Sequence, residues 1–381
     1  ALQRSGQLLK TGHGDWTAIP QFSHRGGGIH LSGVNWSTWH HRLHQKLLRT
    51  PELLPDNSRL MLAVSGGQDS MAMLGLLLEL QHLHGWSLVI WHGDHAWHPN
   101  SSRFADELHI WCANKGLTWC CDRAEHGSVN TEASARQWRY QQLAWHAHAW
   151  SCDVVAAHTA SDRAETQLLQ LARGTDLAGL GSMRAIRKLQ NNQRGTTRLR
   201  RPMLGFTRRE TAQICEELGL PVWIDPSNSS MDYARNRIRL QVMPVLEELY
   251  PGCATRMAEL GERCSEAKET QTELSELALQ QLITPTGFSR QGWNHLRTTT
   301  RELLLYQWLQ RCGAPTMSAE QLKQLGHNLT TASPTTIFQL KNGWMINVET
   351  DTFSLAREYI EPTQKPNNND ETNGGHDKID Q

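Results

Sequence analysis

Between two apolar runs the chain carries Ser65-Gly66-Gly67-Gln68-Asp69-Ser70. Tandem glycines weaken a strand or a helix, because glycine loses the most backbone freedom on ordering. Their use here is access: bare backbone N–H groups can meet phosphate oxygens, and the start of the next helix adds unpaired donors and the positive end of its dipole. The Ser65 and Ser70 hydroxyls add two further donors. Asp69 would repel a polyphosphate unless a divalent cation joined them, and Mg2+ commonly binds through one or two carboxylates plus phosphate. The stretch therefore predicts phosphate binding at Ser65, Gly66, Gly67, Gln68, Asp69 and Ser70, with Asp69 as a metal ligand. It is not the G-x-x-x-x-G-K-[ST] loop, since no lysine follows.

Other residues could join that chemistry. Arg136, Arg139 and Tyr140 recur at helical spacing on one face, able to meet nucleotide or RNA phosphate. Asp162 and Glu165 lie about one turn apart, able to share a metal or to position reacting groups. His95 and His158 follow strand-like runs and can line the same edge. Residues 184–209 are dense in arginine without one acid, which predicts that Arg200 and Arg201 touch an RNA backbone. His92, His95 and His98 around Asp94 are spaced by threes on extended text and do not converge on an ion as H-x-x-x-H on a helix does.

The elements that must position these residues alternate. Strand patterns at 59–65, 86–92, 117–122 and 152–159 are each followed by a helix, at 69–83, 102–115, 131–150 and 161–174. A last strand, helix and strand are expected at "LRRPML", "TRRETAQICEELG" and "PVWID". Apolar strands alternating with helices predict an α/β fold whose parallel sheet is covered on both faces. The phosphate stretch and the "AHTASD" segment then fall at the carboxyl edge of the strands, where such folds dock ligands. Past Tyr233 the text is mainly helical, closing in strands near 335–348. The expected division is a flexible extension over 1–34, the α/β domain over 35–230, a mainly helical substrate-binding domain over 231–360 and a disordered tail over 361–381.

S-G-G-x-D-S resembles the pyrophosphate-binding loop of the N-type ATP pyrophosphatases, the PP-loop superfamily, which splits ATP into AMP and pyrophosphate while adenylating a substrate oxygen. Within it, "TEASARQWRY", "AAHTASDRAETQLLQLARG" and "DPSNSSMDYARNRIR" resemble, in order, three motifs of the tRNA(Ile)-lysidine synthetase family. The matches span about residues 58–250. Ser161 departs from them, standing where the family usually has the first of two aspartates. The resemblance implies a Rossmann-like (adenine nucleotide alpha hydrolase-like) domain and use of ATP with Mg2+. It implies ligation of free L-lysine to C2 of the wobble cytidine of a CAU-anticodon tRNA(Ile), through an adenylated cytidine. It implies catalytic roles for Asp69, Asp162 and Glu165, ATP contacts for Arg136 and Arg139, and metal contacts for Asp69 and Asp162. Asn228, Arg235, Asn236 and Arg239 join His95, His158, Arg200 and Arg201 as substrate-side residues. A tRNA thiolase of the same superfamily, or a non-catalytic RNA-binding relative, is the alternative.

Bulk properties agree without deciding. The 381 residues carry a formal net charge of +0, so only local clustering can favour a polyanion. No apolar run approaches the roughly 18–20 residues that cross a bilayer. Eight scattered cysteines with no C-x-x-C suggest reduced thiols and a cytoplasmic location rather than a disulfide framework or zinc site. A monomer or a homodimer is expected. In the helical part Arg290, Arg297 and Arg301 are candidate RNA contacts.

Overall fold

A computed structural model describes residues 36–96, 101–125, 127, 129, 131–189, 197–223 and 231–357, and the backbone alone of 8–10 and 16–18. Most of the segments read as a flexible extension and a disordered tail lie outside the described residues, as do Asn228 and His98. The chain divides into two compact units, residues 1–268 and 269–381.

In the first unit, β1 (Leu8–Lys10) and β2 (Trp16–Ala18) form an antiparallel ribbon. Then α1 (Thr38–Arg49), β3 (Arg59–Ala63), α2 (Gln68–His84), β4 (Ser87–Asp94), α3 (Ser101–Asn114), β5 (Thr118–Arg123), α4 (Glu132–Ala149), β6 (Asp153–Ala156) and α5 (Ala160–Arg173) alternate as the patterning predicts. Short α6 (Leu177–Leu180), β7 (Ile186–Lys188), β8 (Arg198–Arg200) and α7 (Arg208–Glu217) complete the α/β part. The sheet order is β5-β4-β3-β6-β8-β7. Successive residues of a strand point to opposite faces, and the cores obey this. Leu60, Leu62 and Ile90 pack on α1, α2 and α7, whereas Met61, Val89, Trp91, Val154 and Leu199 pack under α4. Helices therefore cover both faces. α2 is buried nearly all round, and its Gly75 leaves room for Leu220, whose Cδ1 would lie 2.6 Å from a Cβ there.

Four expectations need correction. The sheet is parallel except for β7, which returns antiparallel along β8. The expected "LRRPML" strand stops at Arg200 and a 3-10 turn begins at Pro202, which has no N–H for a ladder. Pro221–Trp223 of "PVWID" is not a strand; Trp223 N–H instead donates to Gly66 C=O at 3.0 Å. Residues 231–268, read from sequence as the opening of the second domain, cluster with the first unit. They hold α8 (Ala234–Arg237), a π turn (Ile238–Val242), α9 (Met243–Leu249) and the start of α10 (Cys253–Leu282). Buried Arg163 of α5 ties them in, donating to Ala258 C=O at 2.9 Å and to Glu262 at 2.6 Å.

The second unit follows the end of α10 with β9 (Ile283–Thr284), β10 (Gly287–Ser289), α11 (Arg290–Asn294), α12 (Thr298–Arg311), α13 (Ala319–Thr331), β11 (Ile337–Gln339), β12 (Trp344–Val348) and β13 (Thr352–Arg357). Its antiparallel sheet, ordered β11-β12-β13-β10-β9, buries Phe288, Trp293, Trp308 and Phe353. Trp293 meets Phe288 and Phe353 edge to face at 5.5 and 5.7 Å between centroids, a preferred aromatic geometry. Arg301 donates to Trp293 C=O, Asn294 C=O and Thr330, and Arg290 to Glu349 C=O and Ala332 C=O. These two arginines brace the unit rather than wait for RNA; Arg297 is exposed at the start of α12.

Candidate active site

β3 ends into the phosphate loop, and α2 starts at its far side. Gly66 adopts φ +84°, a left-handed conformation that favours glycine. A Cβ there would also sit 3.2 Å from the Trp223 ring. Gly67 differs: its φ is −74°, and a Cβ would meet only Ser65 Oγ, at 3.5 Å. The fold thus demands glycine at 66, while at 67 it leaves bare space beside the first N–H groups of α2. Ser70 Oγ donates to Gly67 C=O at 2.8 Å and accepts from Ser65 N–H at 3.2 Å, so the two serines lock the turn. Gln68 points away from the loop, donating to Arg208 C=O at 2.6 Å and Thr211 Oγ1 at 3.1 Å.

Asp69 faces α7. Its carboxylate accepts from Arg208 Nη1 at 2.8 Å and from Thr211 Oγ1 at 2.5 Å. Burial pushes its pKa up; Arg208 opposes that rise, and the nearby charge of Asp162 adds to it. A buried carboxylate beside a second one could hold a divalent cation; in this structure the half-exposed Arg208 guanidinium pairs with it. Asp162 is engaged differently. Its Oδ2 caps α5, accepting from Thr159 N–H at 2.8 Å and Thr159 Oγ1 at 2.9 Å, while Oδ1 accepts from Arg235 at 2.9 Å. Burial works against its ionised form, but Arg235, His158 and the Thr159 amide prevail and hold its pKa below the usual range.

Glu165 is 1% exposed. It accepts from Arg235 Nε at 2.9 Å and from Arg239 Nε and Nη2 at 2.7 and 2.9 Å. Two carboxylates of α5 thus meet two guanidiniums that come from Arg235 in α8 and Arg239 in the π turn. The π turn has a cause. Pro244 cannot donate to the carbonyl four residues back and its ring crowds that carbonyl, so the preceding turn widens and Met243 N–H reaches Ile238 C=O.

His158 is kept neutral, its pKa pushed well below the ordinary value by burial and by Arg201. Arg201 Nε donates to its Nδ1 at 3.1 Å, which places the ring proton on Nε2. His95 meets Arg139 at 3.0 Å, His95 Nε2 to Arg139 Nη2. Asn236 is 8% exposed beside the paired arginines. Ser161 accepts from the Arg208 N–H at 3.0 Å, so the hydroxyl standing at the departed position caps α7. The expected arginine patch is largely internal. Arg200 is 3% exposed, salt-bridged to Asp153 and donating to the Glu52 and Leu53 carbonyls; Arg201 is 2% exposed and donates to Arg184 C=O at 2.6 Å. Neither is a surface contact for RNA backbone; Arg200 braces β8 against the β3 approach, and Arg201 backs His158.

The PP-loop domain model of ATP-binding proteins matches residues 39–246. The tRNA(Ile)-lysidine synthase of Parasynechococcus marenigrum (strain WH8102) is 52% identical over 320 residues, covering 84% of this chain and 95% of that protein. The chain belongs to the tRNA(Ile)-lysidine synthase family. A relative from Prochlorococcus marinus is 44% identical, covering 77% of this chain and 89% of its own. The U34-tRNA thiolase NcsA of Methanococcus maripaludis superposes with a TM-score of 0.50 at 19% identity, over 59% of this chain and 78% of its own, a likeness of fold.

For this lysidine synthase family member, three contributors went unread in the sequence. Arg208 and Thr211 hold Asp69, and Trp223 seats Gly66. A signal for the first existed: Thr207 and Glu210 form a capping box, Thr207 N–H donating to Glu210 at 2.7 Å. It fixes the N-terminus of α7, and with it Arg208 and Thr211. Outside the site, Cys120, Asp122 and His146 cluster between β5 and α4, Asp122 accepting from His146 at 2.7 Å and from Trp91 Nε1 at 2.6 Å. There the partners satisfy one another.

Proposed function

We propose that this chain uses ATP to ligate lysine onto C2 of the wobble cytidine of CAU-anticodon tRNA(Ile), releasing AMP and pyrophosphate. One observation carries the chemistry. The phosphate loop shares the sheet edge with the Asp162–Glu165–Arg235–Arg239 network, so nucleotide and a second substrate can meet there. The triphosphate would lie on the N–H groups of Gly67 and the first turn of α2, beside the Ser65 hydroxyl. Mg2+, held by Asp69 once Arg208 turns away, would neutralise charge between carboxylate and phosphate. Asp162 would join it only by releasing Arg235, because both its oxygens are in use.

The base O2 attacks the α-phosphorus, the P–O bond to pyrophosphate breaks, and O2 stays bonded to AMP. The lysine amine then attacks C2, the C2–O2 bond breaks, AMP leaves with O2, and the amine proton passes to solvent. Arg235 and Arg239 are aligned to stabilise negative charge developing on phosphate oxygens. Glu165, buried beneath them, acts through them as a positioning residue, and Asp162 is the more exposed carboxylate for an incoming ammonium. A target base must be unpaired and splayed, which an anticodon loop provides. A sulfur-delivering relative would need an activated thiolate. Burial instead pushes the thiols of Cys112, Cys120, Cys121, Cys152, Cys215, Cys253 and Cys312 up.

The test is incubation with CAU-anticodon tRNA, lysine and ATP, followed by nucleoside mass spectrometry. Lysidine with stoichiometric AMP is expected. ADP and orthophosphate, or turnover without RNA, would refute the reading.

A further inference from the structure

Two guanidiniums lie against one phenol ring. Tyr140, in the third turn of α4, has the Arg187 guanidinium 4.7 Å and the Arg136 guanidinium 5.0 Å from its ring centroid. Arg187 lies on β7, whose antiparallel return brings it opposite Leu199 of β8. Among the described residues neither arginine forms an ion pair, and Arg187 Nε is buried with no hydrogen-bond partner. A buried donor left unmade is costly, and unbalanced guanidiniums repel one another. An anion accepting from them would remove both costs.

We infer that Arg187 and Arg136 over Tyr140 form a phosphodiester-binding cradle for the RNA substrate, separate from the loop that holds ATP. Position favours RNA. β8 and β7 lie two and three places from β3 in the sheet order, roughly 10–14 Å from the strand carrying the phosphate loop. The nucleotide already has its own donors there. Arg201, whose charge acts on Tyr140 from within, backs His158 at the shared edge, so the cradle would fix a backbone phosphate beside the base being modified. Planar guanidiniums over an aromatic ring grip a phosphate in fixed orientation, which lysine cannot copy.

The inference rests on the RNA-modifying reading, and the experiment separates the two. Full-length Arg187→Gln, Arg187→Lys and Arg136→Gln variants are compared with the parent for affinity to CAU-anticodon tRNA across a salt series, and for ATP affinity alone. Arg187→Gln should weaken tRNA binding roughly tenfold and lower the salt slope by about one, with ATP affinity unchanged. Arg187→Lys should keep the slope and recover part of the affinity. Arg136 is exposed, so Arg136→Gln tests the cradle even where Arg187→Gln does not fold. Weakened ATP binding with intact tRNA binding would assign the cradle to the nucleotide and overturn the inference. Unchanged affinity for both would reduce Arg187 to a prop for Tyr140 and overturn it equally. A parent chain that binds tRNA through Arg187 yet forms no lysidine would sink the proposed reaction and leave the cradle standing.

Discussion

Replacing Glu165 by glutamine removes one charge from the most enclosed part of the site. The carboxylate has a side-chain exposure of 2% and accepts three N–H donors from two arginines, at 2.7, 2.9 and 2.9 Å. Removing one partner of a buried pair costs about 3–5 kcal/mol, because the other charge stays buried. Glutamine keeps one acceptor oxygen, and Asp162 still holds Arg235 at 2.9 Å. The loss should therefore be about 2–3 kcal/mol. In a domain of this size that is a fall in Tm of roughly 5–10 °C, read by circular dichroism. AMP formation should fall with it, since Arg235 and Arg239 lose their alignment. A double-mutant cycle with Arg239→Gln should give a coupling of at least about 1 kcal/mol. A Tm within about 2 °C of the parent and additive single effects would refute the positioning role, because a change that small matches an ordinary surface substitution.

The two loop glycines should part company. Gly66→Ala is expected to lose about 1–2 kcal/mol of stability from its left-handed φ, whereas Gly67→Ala should fold normally and raise the KM for ATP. Equal melting curves for both would contradict the geometry. Asp69→Asn should abolish pyrophosphate release yet melt no lower than the parent at pH 7. Burial raises the folded pKa of Asp69, so its ionised form lowers stability once pH exceeds that value. For Asp162 the sign reverses. Its folded pKa is depressed, so its contribution is present above the unfolded value and is lost as pH falls through the folded one. The Tm gap between parent and Asp162→Asn should shrink on acidification toward roughly pH 3, and a constant gap would argue against the ion pair. Arg200→Ala should lower Tm through loss of its Asp153 bridge while tRNA affinity per folded molecule holds.

The α/β order was legible because the central strands are short and apolar and several helices start at a readable cap, such as Thr131, Thr159 and Thr207. The loop residues were legible because two glycines in tandem have few other uses. What escaped was pairing across long separations. Arg200 looks like one more cation in a basic run, but its partners stand 47, 147 and 148 residues away, at Asp153, Leu53 and Glu52. Local charge density cannot show that such a side chain turns inward. The same blindness hid Arg208, which meets Asp69 across 139 residues. The return of β7 was missed because three residues, "IRK", carry too little periodicity to mark a strand.

The widened turn ahead of Pro244 has a corollary for sequence length. Excising one residue from 238–242 would restore an ordinary helix. Everything downstream of the cut would then rotate by about 100° relative to Arg235 and the helix before it, and Ala258 and Glu262 of α10 would leave Arg163 of α5. In this segment spacing is itself a functional trait, and relatives that tolerate many replacements here should tolerate no change in its residue count.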